Sequence, residues 1–288
     1  MKRKRVDGWV LVTGATGGLG KALVAGLLAD GRHVIATARD PGRIAMPPGT
    51  GRIEGIALDL EQPSTLAQAT QAITRIVAGS RLEGLVNMAG IIVEGPLEAI
   101  PPAELRRQLD VNVVGPFALA QALLPLLKQG RGTVVNIGAI SAHLTIPFYG
   151  PIAASKSALA SLNDAMRLEF ARFGIRVVLI EPGAMGTGIF STSRAARDAN
   201  LSAQPELERR YRPALIAMDR AFDKAGADDP RVVVEAVMKA LCGNRVRPRA
   251  VVGKGTGALL VLSRLPIALR DKLVKDALGL SAALKSTS

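Results

Sequence analysis

The chain has 288 residues, 48% of them hydrophobic and 3% aromatic, with a formal net charge of +13. That length suits one domain with an elaborated end. With so few aromatic side chains for base stacking and no nucleic-acid module, no nucleic acid is expected as a partner, and an anionic cofactor or a membrane surface suits the basic charge better.

The basic run Lys2, Arg3, Lys4 and Arg5 makes segment 1–8 read as a disordered tail, and no apolar stretch follows it as a signal peptide would require. Val10, Leu11 and Val12 then form the continuous apolar run of a strand buried on both faces of a parallel sheet. The glycine-rich turn TGATGGLG comes next and opens a helix over 18–29. Gly14, Gly18 and Gly20 permit positive φ or close backbone approach, and the amides at the helix start favour an anion. With Thr16 and Leu19 they form a candidate phosphate cradle. A second strand at 33–37 ends in Ala38-Arg39-Asp40, where a dinucleotide's adenosine ribose is read. A carboxylate first would take the 2′-hydroxyl of NAD, whereas Arg39 first favours a 2′-phosphate, an NADP(H) preference that an inward Asp40 would weaken.

A third strand, 53–58, delivers Asp59 and Leu60 to the sheet edge where ligands of open α/β folds bind, with Asp59 near the adenine. A helix over 63–77 and a strand over 82–88 lead to Asn87, Ala89 and Gly90, small enough at their end to admit a cofactor. The alternation of short apolar runs with amphipathic stretches identifies an α/β protein with helices covering a parallel sheet.

TGATGGLG, Asp59, NMAG at 87–90, Asn112 in DVNVVG, KSALASLNDAMRLEFARFGIRV and EPGAMGT follow the order and spacing of the short-chain dehydrogenase/reductases. The chain resembles the soluble, single-domain members of that family from Val10 to about Gly279. The resemblance implies a Rossmann-like, doubly wound seven-stranded sheet over 9–254, a nicotinamide cofactor across its carboxyl edge, and a tetrad of Asn, Ser, Tyr and Lys. Asn112 and Lys156 stand at two tetrad positions. At the other two, the expected Tyr is Ile152 and the expected Ser is Ala139. Tyr149, in the loop entering the helix that Pro151 begins, and Ser141, after the fifth strand, are substitute donors or simply cleft wall. By the same resemblance Lys156 also holds the nicotinamide ribose, and Pro182, Gly183 and Thr187 hold the carboxamide. Long helices over 105–127 and 151–172 would build a homodimer or homotetramer.

Segment 188–229 reads as a substrate lid carrying Tyr211, Met218 and Phe222. The extension 255–288 holds an apolar, basic helix pair broken at Pro266, expected to cover the substrate cleft, with peripheral membrane contact as a second use. The single cysteine, Cys242, is expected to be a small buried hydrophobe, in keeping with a reducing, cytoplasmic setting. No metal site is expected. A positioned general acid typically contributes about 10² to 10⁴ in rate. Without Tyr and Ser, simple ketones should be poor substrates, and an NADP(H)-dependent reductase of an apolar imine, iminium or conjugated alkene is the favoured reading. A redox-inactive nucleotide-binding protein, or a non-redox cyclase or isomerase, is the alternative.

Overall fold

The computed structural model describes residues 8–243 and 246–283. Most of the basic tail (1–7), Arg245 and the last residues, 284–288, lie outside them. Seven parallel strands form one sheet in the order β3-β2-β1-β4-β5-β6-β7: β1 (Gly8–Val12), β2 (His33–Ala38), β3 (Ile53–Ala57), β4 (Arg81–Asn87), β5 (Thr133–Ile137), β6 (Arg176–Pro182) and β7 (Arg249–Val252). Gly8, assigned to the tail from sequence, is the first residue of β1. The strand order reverses between β1 and β4, so the crevice at their carboxyl ends is the topological switch point.

Alternation along β1 sends Val10 and Val12 to one face of the sheet and Trp9 and Leu11 to the other. The first face is covered by α1 (Gly18–Ala29) through Leu23 and Leu27 and by α9 (Arg231–Cys242) through Val233 and Val237. On the opposite face lie α2 (Pro63–Val77), α4 (Gly115–Ala122), α5 (Leu124–Gly130) and α6 (Gly150–Phe170), which contribute Ile73, Leu119, Leu127 and Met166.

The long helix expected over 105–127 is not continuous. It divides into α3 (Pro102–Leu109), a π turn at Asp110–Val114, α4 and α5. Pro116 has no N–H for the carbonyl of Asn112, nor Pro125 for that of Gln121, so the ladder is interrupted at both places. Cys242 is also corrected: it is exposed, and its Sγ accepts from Arg32 Nη2 at 3.1 Å. The inner side of α9 is taken by Val233, Val237, Ala240 and Leu241, and Cys242, the residue after Leu241, turns off it.

The lid comprises α7 (Ile189–Ser202) and α8 (Pro205–Ala225). With Ile152 and Tyr149 it builds a third apolar cluster containing Leu201, Leu215 and Met218, against which Tyr211 and Phe222 pack. After β7 come α10 (Thr256–Leu262), α11 (Ile267–Ala277) and α12 (Leu280–Ala283), with the expected break at Pro266. These helices do not border the cleft expected beneath them. Instead α12 packs on α8, and Leu280 is fully buried. Val261, Ile267, Leu269 and Leu273 remain exposed among Arg264, Lys272 and Lys275. Among the described residues no single helix is long and apolar enough to cross a membrane.

Candidate functional site

A cleft of about 970 Å³ runs along the carboxyl ends of β1, β2, β3 and β4 and beneath α7. Its floor is the glycine turn. Gly14 has φ +67°, and a Cβ there would lie 2.8 Å from Ala89 Cα, while a Cβ on Gly20 would lie 2.2 Å from the Gly14 carbonyl oxygen. Neither position tolerates a side chain without moving backbone. Thr13 Oγ1 accepts from the amides of Met88 and Ala89, both at 3.0 Å, and so ties the ends of β1 and β4 together. Gly14, Thr16, Gly18, Leu19 and Gly20 all border the cleft, and Gly18 faces Thr187 across it.

At one end Arg39 borders the cleft and, among the described residues, forms no ion pair. The neighbouring Asp40 does not turn inward. Its Oδ1 accepts from Gly42 N at 3.0 Å and caps its own turn. Asp59 and Leu60 border the same end, with Asp59 Oδ1 accepting from the Glu61 amide at 3.1 Å.

At the other end Ala89 and Gly90 border the cleft, and Asn112 and Lys156 stand directly behind Gly90, whose Cβ position is 3.3 Å from Asn112 Oδ1 and 3.8 Å from Lys156 Nζ. The π turn aims Asn112 at Ile91: Oδ1 accepts from the Ile91 amide at 2.9 Å and Nδ2 donates to the Ile91 carbonyl at 3.0 Å. Lys156 Nζ donates to the Ile137 carbonyl at 2.7 Å, and burial pushes its pKa down to about 8.

Several sequence candidates lie off the cleft. Asn87 is buried, and its Nδ2 donates to Asn136 Oδ1 at 2.7 Å, the first link of a ladder that Asn136 continues to Asn163. Pro182 ends β6, and the Gly183 amide donates to the Val252 carbonyl; of that loop, Thr187 reaches the cleft. Ser141 sits in the tight turn Ile140–Ala142, its Oγ buried without a hydrogen-bond partner. Tyr149 is the residue entering α6 and packs its ring 5.5 Å from that of Phe222. Its hydroxyl faces Glu94, and burial, then the Glu94 charge, raise its pKa above the ordinary phenol value. Neither Tyr149 nor Ser141 borders the cleft. Ile152, one turn before Lys156, is buried in the lid cluster.

Among the cleft residues that the sequence does not single out are Glu94, Ser193 and Arg197. The Glu94 side chain is 0% exposed, and Arg197 Nη1 stands 3.2 Å from its Oε1. Burial, the largest influence, raises its carboxyl pKa above the usual range, against Tyr149, Arg197 and Ser193, which lower it. The available signal was a lone carboxylate in the apolar run Ile91-Ile92-Val93-Glu94, just past NMAG.

A family model, short chain dehydrogenase, matches residues 8–198. The chain belongs to that family. Among its relatives, the uncharacterized oxidoreductase YbbO of Escherichia coli (strain K12) is 30% identical over 268 residues, 92% of this chain and 93% of the relative. An NADPH-dependent 3-dehydrocapnine reductase of Ornithobacterium rhinotracheale is 30% identical over 223 residues, 75% and 77% of the two chains. A short chain dehydrogenase of Burkholderia cenocepacia J2315, solved in complex with NADP, superposes with a TM-score of 0.71 at 25% identity, covering 94% of this chain and 99% of that one. The cleft is bordered by the glycine turn, Arg39 and Gly90, while Ile152, one turn before Lys156 on the same helix, lies in the lid cluster.

Proposed function

We propose that this protein is an NADP(H)-dependent reductase of an apolar small molecule, and that the bond it reduces is not that of a simple ketone. The observation that carries this reading is the end of the cleft at Gly90: Asn112 and Lys156 stand behind it, and one turn before Lys156 the side chain is the aliphatic Ile152. The residues fit the cofactor. Gly14 and Gly20 leave backbone where side chains would intrude on a pyrophosphate, and the unpaired Arg39, with Asp40 turned away, suits a 2′-phosphate. Two relatives point the same way, one named as NADPH-dependent and one solved with NADP.

The bound cofactor would supply a hydride at the Gly90 end. Asn112 fixes the loop at Ile91, and Lys156, its Nζ 3.8 Å from the Cβ position of Gly90, would hold the ribose of the bound cofactor through its ammonium. Ile152, one turn before Lys156 and buried in the lid cluster, has no proton to give. The test is calorimetry with NADPH and NADH, followed by NADPH oxidation with 2-phenyl-1-pyrroline, 2-cyclohexenone and acetophenone. Tighter NADPH binding and turnover of the imine or the enone above acetophenone is expected. Failure to bind either nucleotide, or preferred turnover of acetophenone, refutes the reading.

A further inference from the structure

The buried carboxyl beneath the lid has no counterpart in the tetrad. Glu94 lies four residues past Gly90 on the loop that borders the cleft, its side chain closed off from solvent. The groups facing it are Tyr149 at the start of α6, Ser193 and Arg197 from α7, and Asp219 from α8; Arg194 stands beyond, paired with Asp219 and Asp223. Arg197 is a poor counter-ion for Glu94 despite its 3.2 Å approach. Its Nη1 and Nη2 donate to Asp219 at 3.1 and 2.8 Å, and its Nε donates to Asp198 at 3.1 Å. The hydroxyls of Tyr149 and Ser193 face the carboxyl without closing a well-formed hydrogen bond, so both Glu94 oxygens and Ser193 Oγ are left open. A buried carboxyl with unfilled bonding capacity, one layer behind the cleft wall where Ser193 and Arg197 cover it, is a group prepared to hold a proton and to deliver it to a ligand that parts them.

We propose that Glu94 is the proton donor of this site and that the acceptor is an imine nitrogen, which makes a carbon–nitrogen double bond the substrate class. The inference rests on the reductase reading above. The neutral acid gives its proton to the imine nitrogen, the hydride of NADPH adds to the adjoining carbon, and the products are an amine, NADP⁺ and the Glu94 carboxylate, which takes a new proton from water. An imine nitrogen is a far stronger base than a ketone oxygen, so a carboxylic acid can protonate it before hydride arrives; a ketone needs proton and hydride together from a donor in line with both. The raised carboxyl pKa keeps the acid form populated nearer neutral pH than an exposed glutamate would allow. Tyr149 and Ser193 face the carboxyl from α6 and α7, which accounts for a phenol held away from the cleft.

The experiment compares wild type, Glu94→Gln and Glu94→Asp, each first shown to be folded and to bind NADPH. With 2-phenyl-1-pyrroline, Glu94→Gln is expected to lower kcat by about 100-fold or more, with Glu94→Asp recovering part of the loss and the NADPH dissociation constant moving less than about twofold. Wild-type kcat should fall as pH rises through the Glu94 pKa, and that limb should be absent in Glu94→Gln. A readout independent of turnover is calorimetric binding of 2-phenylpyrrolidine to the protein without nucleotide, which Glu94→Gln should weaken about tenfold through loss of the carboxylate partner of the ammonium. Imine turnover in Glu94→Gln within about threefold of wild type, or a wild type that reduces 2-cyclohexenone but not the imine, overturns Glu94 as the donor and leaves the reductase reading intact. A protein that binds no NADPH overturns both.

Discussion

Lys156 is held in a place that costs stability. Its side chain is almost wholly buried, and burial lowers its pKa from the ordinary 10.5 to about 8. That gap corresponds to a penalty of about 3 kcal/mol on the ammonium at pH 7. The 2.7 Å bond to the Ile137 carbonyl offsets about 1.5 to 3 kcal/mol, as charge-assisted hydrogen bonds do. Lys156→Met, similar in volume and without charge, is therefore expected to stabilise the protein by about 1 kcal/mol at pH 7, or about 2 °C in Tm. The pH dependence has a fixed sign. Below about pH 8 the folded protein carries the penalised ammonium; above it the folded lysine is neutral while the unfolded one stays charged to about pH 10.5, so wild-type stability rises across that window. The methionine variant lacks the group, so its advantage at pH 7 should turn into a deficit by pH 10, the difference between the two proteins moving by about 2 to 3 kcal/mol. Urea denaturation at the two pH values measures this. A variant destabilised at pH 7, or a difference that does not change with pH, refutes the reasoning. The same substitution should weaken NADPH binding, since a destabilising group kept at a cleft wall is expected to serve the ligand.

Arg39→Ala should raise the NADPH dissociation constant at least about tenfold, in line with loss of a charge-assisted phosphate contact, and leave NADH within about twofold; equal loss for both nucleotides would remove Arg39 from the 2′-phosphate. Ala139→Ser combined with Ile152→Tyr should raise acetophenone reduction above wild type, because Asn112 and Lys156 stand behind Gly90 ready to support the restored hydroxyls. Intact NADPH binding with no gain in ketone turnover would show that the frame is no longer competent.

What the sequence disclosed followed from local rules. Continuous apolar runs marked the strands, and α1 and α2 begin and end where the sequence placed them, at Gly18–Ala29 and Pro63–Val77. Arg39 and Asp40 were legible because a side chain next to a strand end has few places to go. The misses are tertiary. The break after Ala122 follows from Pro125, which the long helix implied by the resemblance over 105–127 passes over. Cys242 looked buried because its helix is amphipathic, and the structure turns that one residue outward. Tyr149, a substitute donor or simply cleft wall by sequence, turns its hydroxyl to Glu94, distant in sequence and unremarkable until α7 packs over it. Asn87, a cofactor candidate through its neighbours in NMAG, has its amide in a ladder whose other members lie on β5 and α6.

Burial raises the Glu94 pKa most, the lid's charges add a smaller part, and Asp219 is the place to test that part. Asp219 raises the Glu94 pKa in two ways: it is a like charge nearby, and it occupies both terminal nitrogens of Arg197, the cation that among the described residues approaches the carboxyl. Asp219→Asn removes the charge and frees part of the Arg197 fork, whose Nη1 is already 3.2 Å from Glu94 Oε1. Glu94 then gains a true ion pair, its ionised form is favoured, and its pKa falls. Since the donor must be protonated, imine reduction in Asp219→Asn should be lost at a lower pH than in wild type, while turnover well below that pH stays comparable. The substituted residue touches neither the glycine turn nor Arg39, so NADPH affinity serves as the control for folding. A midpoint that stays in place or moves to higher pH would mean that the Arg197–Asp219 pair does not govern the acid, and that desolvation alone sets the Glu94 proton.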